Sequence, residues 1–243
     1  MIGKLLARGL AAGLIAGVLA GLFALVVGEP SLERAISLEE AGSGGEDEVF
    51  GRGVQRVGLM VATALYGAAV GGVFGTVSAL LRGHTASRSG WYQSLGLAAS
   101  GFAGAFLLPF LKYPPNPPGA GATTSQTPAY LALAGLSLLA VFLAWRVSRR
   151  MADASPPARH LSVGGFLVVS FSALYVLLPE GLGVQEIPAD LLWQFRLSSI
   201  GSQAVLWVAL GGVFGLLCDR AERRGNDSES ASRVETVSGP EAG

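Results

Sequence analysis

The stretch from Arg8 to Val27, RGLAAGLIAGVLAGLFALVV, restricts what this chain can fold into more than any other. From Gly9 to Val27 there is no charge, and glycines stand at Gly9, Gly13, Gly17 and Gly21. At ~1.5 Å per residue such a run nearly crosses a hydrocarbon layer of ~30 Å. Glycine every fourth residue forms one stripe, against which a neighbouring helix backbone can lie closely. In water that much glycine would weaken a helix. In lipid the backbone must bond to itself, and the helix survives.

Uncharged runs recur at residues 57–81, 94–111, 129–145, 161–178 and 197–217. With 9–27 they make six candidate spans, each about the length a crossing helix needs. The fold class expected is therefore all-α, a polytopic membrane protein of about six helices in repeated hairpins. Composition agrees: 14% of residues are charged and 51% hydrophobic, against about 25% charged in a soluble domain. A formal net charge of zero gives no reason to expect nucleic acid as a partner. A cleaved signal peptide is the rival reading of the first span, behind Lys4 and Arg8. Its apolar core is longer than the usual ~7–15 residues, and its glycine stripe suits permanent packing, so retention is expected.

Loop charges orient the spans. With both termini in the cytoplasm, twelve of the seventeen basic residues fall inside, and ten of the seventeen acidic residues fall outside. Six spans thus satisfy the positive-inside rule. The first outer loop carries EPSLERAISLEE, which has helical spacing, and then the acidic tract GSGGEDE. The second, KYPPNPPGAGATTSQTP, holds five prolines in seventeen residues and is expected to be extended and stiff. In the third, Pro188 is placed to open a helix running into span six, with Trp193 at headgroup level. Residues 1–224 form the membrane domain, and 225–243, polar and poor in large apolar side chains, are expected to be a disordered cytoplasmic tail.

The motif GGVFG occurs at residues 71–75 and again at 211–215, an offset at which Arg56 also falls on Arg196 and Thr63 on Gln203. The odd-numbered spans end beside a proline, in VGEP, LLPF and LLPE. A repeated out-and-back hairpin accounts for both patterns, with a site expected where repeats meet.

No Asp, Glu, Lys, Arg or His falls inside these six runs, whereas proton-coupled carriers usually keep an ionisable group at mid-depth. Serines there are expected to bond back to their own helices. Arg196, Ser199 and Gln203 share one helix face. Arg56 and Arg196 are placed to pair with Glu29 and Glu180. One cysteine and two histidines leave no cysteine-built zinc site. HExxH, GxSxG and Walker motifs are missing, so the chain is not expected to be an enzyme or to need a cofactor.

GEPSLERAISLEE, RGVQRVGLM, LPFLKYPPNPPGAG and IPADLLWQFRLSSIGSQAVLW resemble the CbtA family of predicted cobalt transporter subunits, over about residues 1–220. The resemblance implies Co2+ uptake across a bacterial cytoplasmic membrane in support of cobalamin synthesis. It also implies a small single-span partner, CbtB, with histidines that capture the metal. It implies five spans, one fewer than the hydropathy counts. Where relatives carry histidines in the first outer loop this chain has AGSGGEDEVF, so capture falls to carboxylates or to the partner.

On this reading Glu29, Glu33, Lys112, Tyr113, Asn116, Asp190 and Arg196 form an outer vestibule. Glu29, Glu33, Asn116 and Asp190 offer the metal oxygen ligands, beside Arg56, and Thr63 and Gln203 line the descent. A non-transporting scaffold that assembles a partner is the alternative.

Overall fold

The computed structural model describes residues 2–43, 51–81, 90–117, 127–181 and 187–237, and among these it contains helices and no strand. The order is α1 (Ile2–Phe23), a π-helical stretch (Ala24–Gly28), α2 (Glu29–Ser43), α3 (Arg52–Leu81), α4 (Gly90–Gly101), a second π-helical stretch (Phe102–Leu107), α5 (Leu108–Lys112), α6 (Thr127–Arg150), α7 (Pro156–Leu177) and α8 (Ala189–Val237). Six helical rods are long and apolar enough to cross a membrane. The hydropathy count stands, and the five spans implied by resemblance do not. The tract GSGGEDE falls outside the described residues apart from its first two, Gly42 and Ser43 at the end of α2.

The glycine stripe of α1 lies against a second one on α3. A methyl group at Gly13 would stand 2.8 Å from the Gly71 Cα, and one at Gly67 would stand 2.6 Å from the Gly17 Cα. Backbones this close exchange dispersion and Cα–H···O contacts, which suit lipid, where burial of apolar surface gives helices little reason to associate. Further along, Gly21 meets the Thr63 and Met60 side chains.

The two GGVFG copies meet in the core. Phe74 and Phe214, both buried, pack edge to face with centroids 5.1 Å apart and planes at 79°. In each copy the first and last glycines receive another helix. Gly71 and Gly75 take Gly9, Gly13 and Leu5 of α1, while Gly211 and Gly215 take Ala98, Ser94 and Trp91 of α4. The first expected hairpin forms, α1 against α3, and α6 lies on the second π-helical stretch; the third does not form, because α8 lies on α1 and α4, and α7 lies on α6. The small side chains Ser94 and Ala98 fit the glycine face of α8, whereas α7 is lined with Val, Leu and Phe and buries no residue of its own.

Both π-helical stretches lead into a proline. Glu29 N–H closes onto the Ala24 carbonyl just before Pro30, and Leu108 N–H closes onto the Ala103 carbonyl just before Pro109. Proline in a regular helix collides with the carbonyl four residues back, and a widened turn carries that carbonyl away. The helix therefore passes through Pro30, and α2 continues α1 where the sequence suggested a separate surface helix. Pro128 sits in the first turn of α6, where a missing N–H is harmless. Pro188 accepts from Leu192 N–H at the start of α8, as its position predicted. The 49 residues of α8 run to Val237, past the point where a disordered tail was expected. At ~1.5 Å each they span more than twice the hydrocarbon thickness.

Candidate functional site at the distal end of the bundle

Chain reversal gathers the C-terminal ends of α2, α5 and α7 and the N-terminal ends of α3, α6 and α8 at the end of the bundle away from Ile2. The charged side chains here divide into two groups of opposite character.

The first group is a closed ion-pair network. Glu29 begins α2 directly after the π turn, which buries it to 9% exposure. Its Oε1 accepts from Arg52 Nη2 at 2.8 Å and from Arg56 Nε at 2.9 Å. One turn on, Glu33 accepts from Arg56 Nη2 at 2.8 Å and lies 3.8 Å from Arg52. Arginine suits this task because its planar fork can serve two carboxylates at once. The expected Arg56–Glu29 pair is thus formed. Arg52, which the sequence reading passed over, joins it one turn earlier on the same face of α3.

The second group lines an open pocket of about 520 Å³ walled by Lys112, Tyr113, Asn116, Tyr175, Glu180 and Arg196 among others. Lys112 donates to the Tyr175 carbonyl and lies 4.4 Å from that ring's centroid. The Tyr113 hydroxyl donates to the Pro179 carbonyl at 2.5 Å. Burial pushes this phenol above its ordinary value of 10.0, which keeps the donor proton in place. The backbone from Tyr113 to Pro117 is irregular, as its prolines predicted, and Pro117 is buried.

Arg196 does not pair with Glu180 as expected. Its Nη2 donates to Asn116 Oδ1 at 3.0 Å, and its buried Nε meets no acceptor among the described residues. Sequence reasoning missed Tyr175. Its signal was slight, an aromatic one turn before the proline that ends span five.

The four expected metal ligands are dispersed. Glu29 and Glu33 lie together but are held by Arg52 and Arg56. Asn116 accepts from Arg196, and Asp190 lies 3.5 Å from Arg34 on the exposed rim. Among the described residues no three His, Cys, Asp or Glu side chains converge on a point that could hold a metal.

Thr63 gives its hydroxyl proton to its own helix, within reach of the Leu59 and Met60 carbonyls, and fills the seam against Gly21. Gln203 is half-buried on α8, one turn beyond Ser199, whose hydroxyl returns to the Phe195 carbonyl. Ser198 and Ser202 bond back in the same way, as predicted for serines at depth, whereas the buried Ser137 hydroxyl on α6 meets no partner among the described residues.

No curated protein and no solved structure matches this chain. A family model described as "Probable cobalt transporter subunit (CbtA)" matches residues 2–219, from the start of α1 to Asp219 within α8. The chain is a member of the CbtA family, a six-span membrane protein of the class described as cobalt transporter subunits.

Proposed function

We propose that this chain is the membrane subunit through which Co2+ enters a bacterial cell across its cytoplasmic membrane, in support of cobalamin synthesis. The observation that carries the reading is the family match over residues 2–219, which coincides with a bundle of six apolar rods. Glu29, Glu33 and Asp190 offer the dication oxygen donors at the distal end, and cobalt's preference for oxygen and nitrogen donors fits such a rim. To ligate the ion, Glu29 and Glu33 must exchange Arg52 and Arg56 for it. Entry is thereby tied to an exchange of side-chain partners where α2 meets α3.

The pocket of Lys112 and Arg196 is a poor path for a bare dication, since two cations at its wall repel it. A small single-span partner of the CbtB kind completes the system by supplying histidines. We assign it to the outer face of α7, where Gly164 and Gly165 have open space around them.

The test is radioactive cobalt accumulation in cells expressing the chain with and without the partner. Accumulation well above background with both is expected, falling several-fold with Glu29→Gln and Glu33→Gln together. Background accumulation in both cell lines would overturn the transport reading. Undiminished uptake by the double variant would overturn the role of the carboxylates.

A further inference from the structure

The two copies of the repeat end differently. In the first copy Arg56 reaches two carboxylates. In the second, Arg196 occupies the matching position, offset by the same 140 residues as GGVFG, and it reaches only the neutral amide oxygen of Asn116. Its side chain lines the 520 Å³ pocket, while its Nε is buried behind that wall with no acceptor among the described residues. A buried N–H of a permanent cation is poorly served in that condition.

Lys112 shares the pocket. It spends one of its three donors on the Tyr175 carbonyl and is steadied over the Tyr175 ring, and no carboxylate lies within ion-pair distance of it among the described residues. Glu180 is the one acidic wall residue, so the pocket carries a formal excess of one positive charge. The remainder of the wall includes Val176 and Leu178. The pocket opens where α7 stops at Leu177, the level at which a membrane turns from hydrocarbon to headgroups.

We propose that this pocket binds a phosphate group, whose oxygens accept from the Arg196 guanidinium and the Lys112 ammonium, while Glu180 takes a hydroxyl or ammonium donor of the same molecule. A guanidinium edge and a nearby ammonium are the usual pair for a phosphate oxygen cluster. Val176 and Leu178 give an acyl chain a place to leave along α7. The source is a phospholipid headgroup or a phosphate free in solution, and the chemistry at Arg196 is the same for both. The site is independent of the cobalt reading.

The experiment uses the full chain, delipidated in a non-ionic detergent, with binding followed by native mass spectrometry and by thermal unfolding. Probes are inorganic phosphate, dihexanoyl phosphatidylethanolamine, dihexanoyl phosphatidylglycerol and, as a carboxylate control, citrate. Saturable binding of phosphate or of either lipid is expected, weakened at least tenfold by Arg196→Gln and by Lys112→Gln. Arg34→Gln, on the rim outside the pocket, keeps the parental affinity. Binding by lipid alone identifies a headgroup, and binding by inorganic phosphate identifies the free anion; both support the site. Three results overturn it: no saturable binding of any phosphate probe, binding of citrate alone, or equal affinity across the variants. Should Arg196→Gln not fold, Lys112→Gln against the parent decides.

Discussion

Glu29 is enclosed by two guanidinium groups, and the order in which those contacts are removed sets their effect. Glu29→Gln leaves Arg52 and Arg56 facing one another with only Glu33 between them. A loss of about 1–3 kcal/mol is expected, the range for a charged hydrogen-bond partner removed from a mostly buried place. Arg56→Gln leaves Arg52 on Glu29, and its own side chain is half exposed, so the loss should be the smaller of the two. Thermal unfolding in detergent ranks the two.

At Tyr113 the same measurement is made against pH. Because its folded pKa is raised by burial, the stability held by the phenol is complete below the ordinary value of 10.0 and is lost as pH climbs through the folded value. Tyr113→Phe should lower stability by about 0.5–1.5 kcal/mol at neutral pH and flatten the alkaline fall. A slope unchanged by the substitution would show that another group is titrating.

Among the helices, the seam between α1 and α3 is the closest. Gly13→Ala must force two backbones apart, and about 1–3 kcal/mol of destabilisation is expected despite alanine's better helix propensity. Gly135→Ala, at a position with open space around it, should be neutral or stabilising by up to about 1 kcal/mol. If both behave alike, the seam is not what holds the pair.

The glycine spacing made this element pair legible, because a four-residue period has one meaning in an apolar helix. The association of α8 with α4 was not legible. GGVFG announces a face that wants a close neighbour, and chain order suggested α7. The choice of α4 rests on Ser94 and Ala98, two small side chains in a run that also holds Trp91 and Leu95. The wide turns were hidden too, since prolines near span ends read as stops until a π turn is seen to carry the helix through Pro30.

For the whole molecule, the number of spans was readable from charge-free runs alone, since no other solvent explains them. The division of the distal end into a closed, charge-balanced ion-pair network and a cationic pocket was beyond the sequence. Arg56 and Arg196 are matched in register and differ only in what the neighbouring helices bring to them. Loop charge predicts the sidedness, and on that basis we expect a C-terminal reporter fusion to be active in the cytoplasm. Cysteines placed between Pro114 and Pro117 should react with an impermeant reagent added outside. Labelling only after the membrane is permeabilised would reverse the orientation and remove the distal end as the mouth.

Two backbones in mutual contact along a glycine seam cannot slip past each other, since a shift of one residue drives a leucine or alanine side chain into a carbonyl row. The pair α1–α3 must then travel as one body, and any working stroke is borne by joints where side chains are interposed. Helix α7, which buries no residue of its own, meets that requirement. Beyond α6 it is fastened at the distal end by one ammonium and one phenol, which clasp the carbonyls of Tyr175 and, just past the helix end, of Pro179.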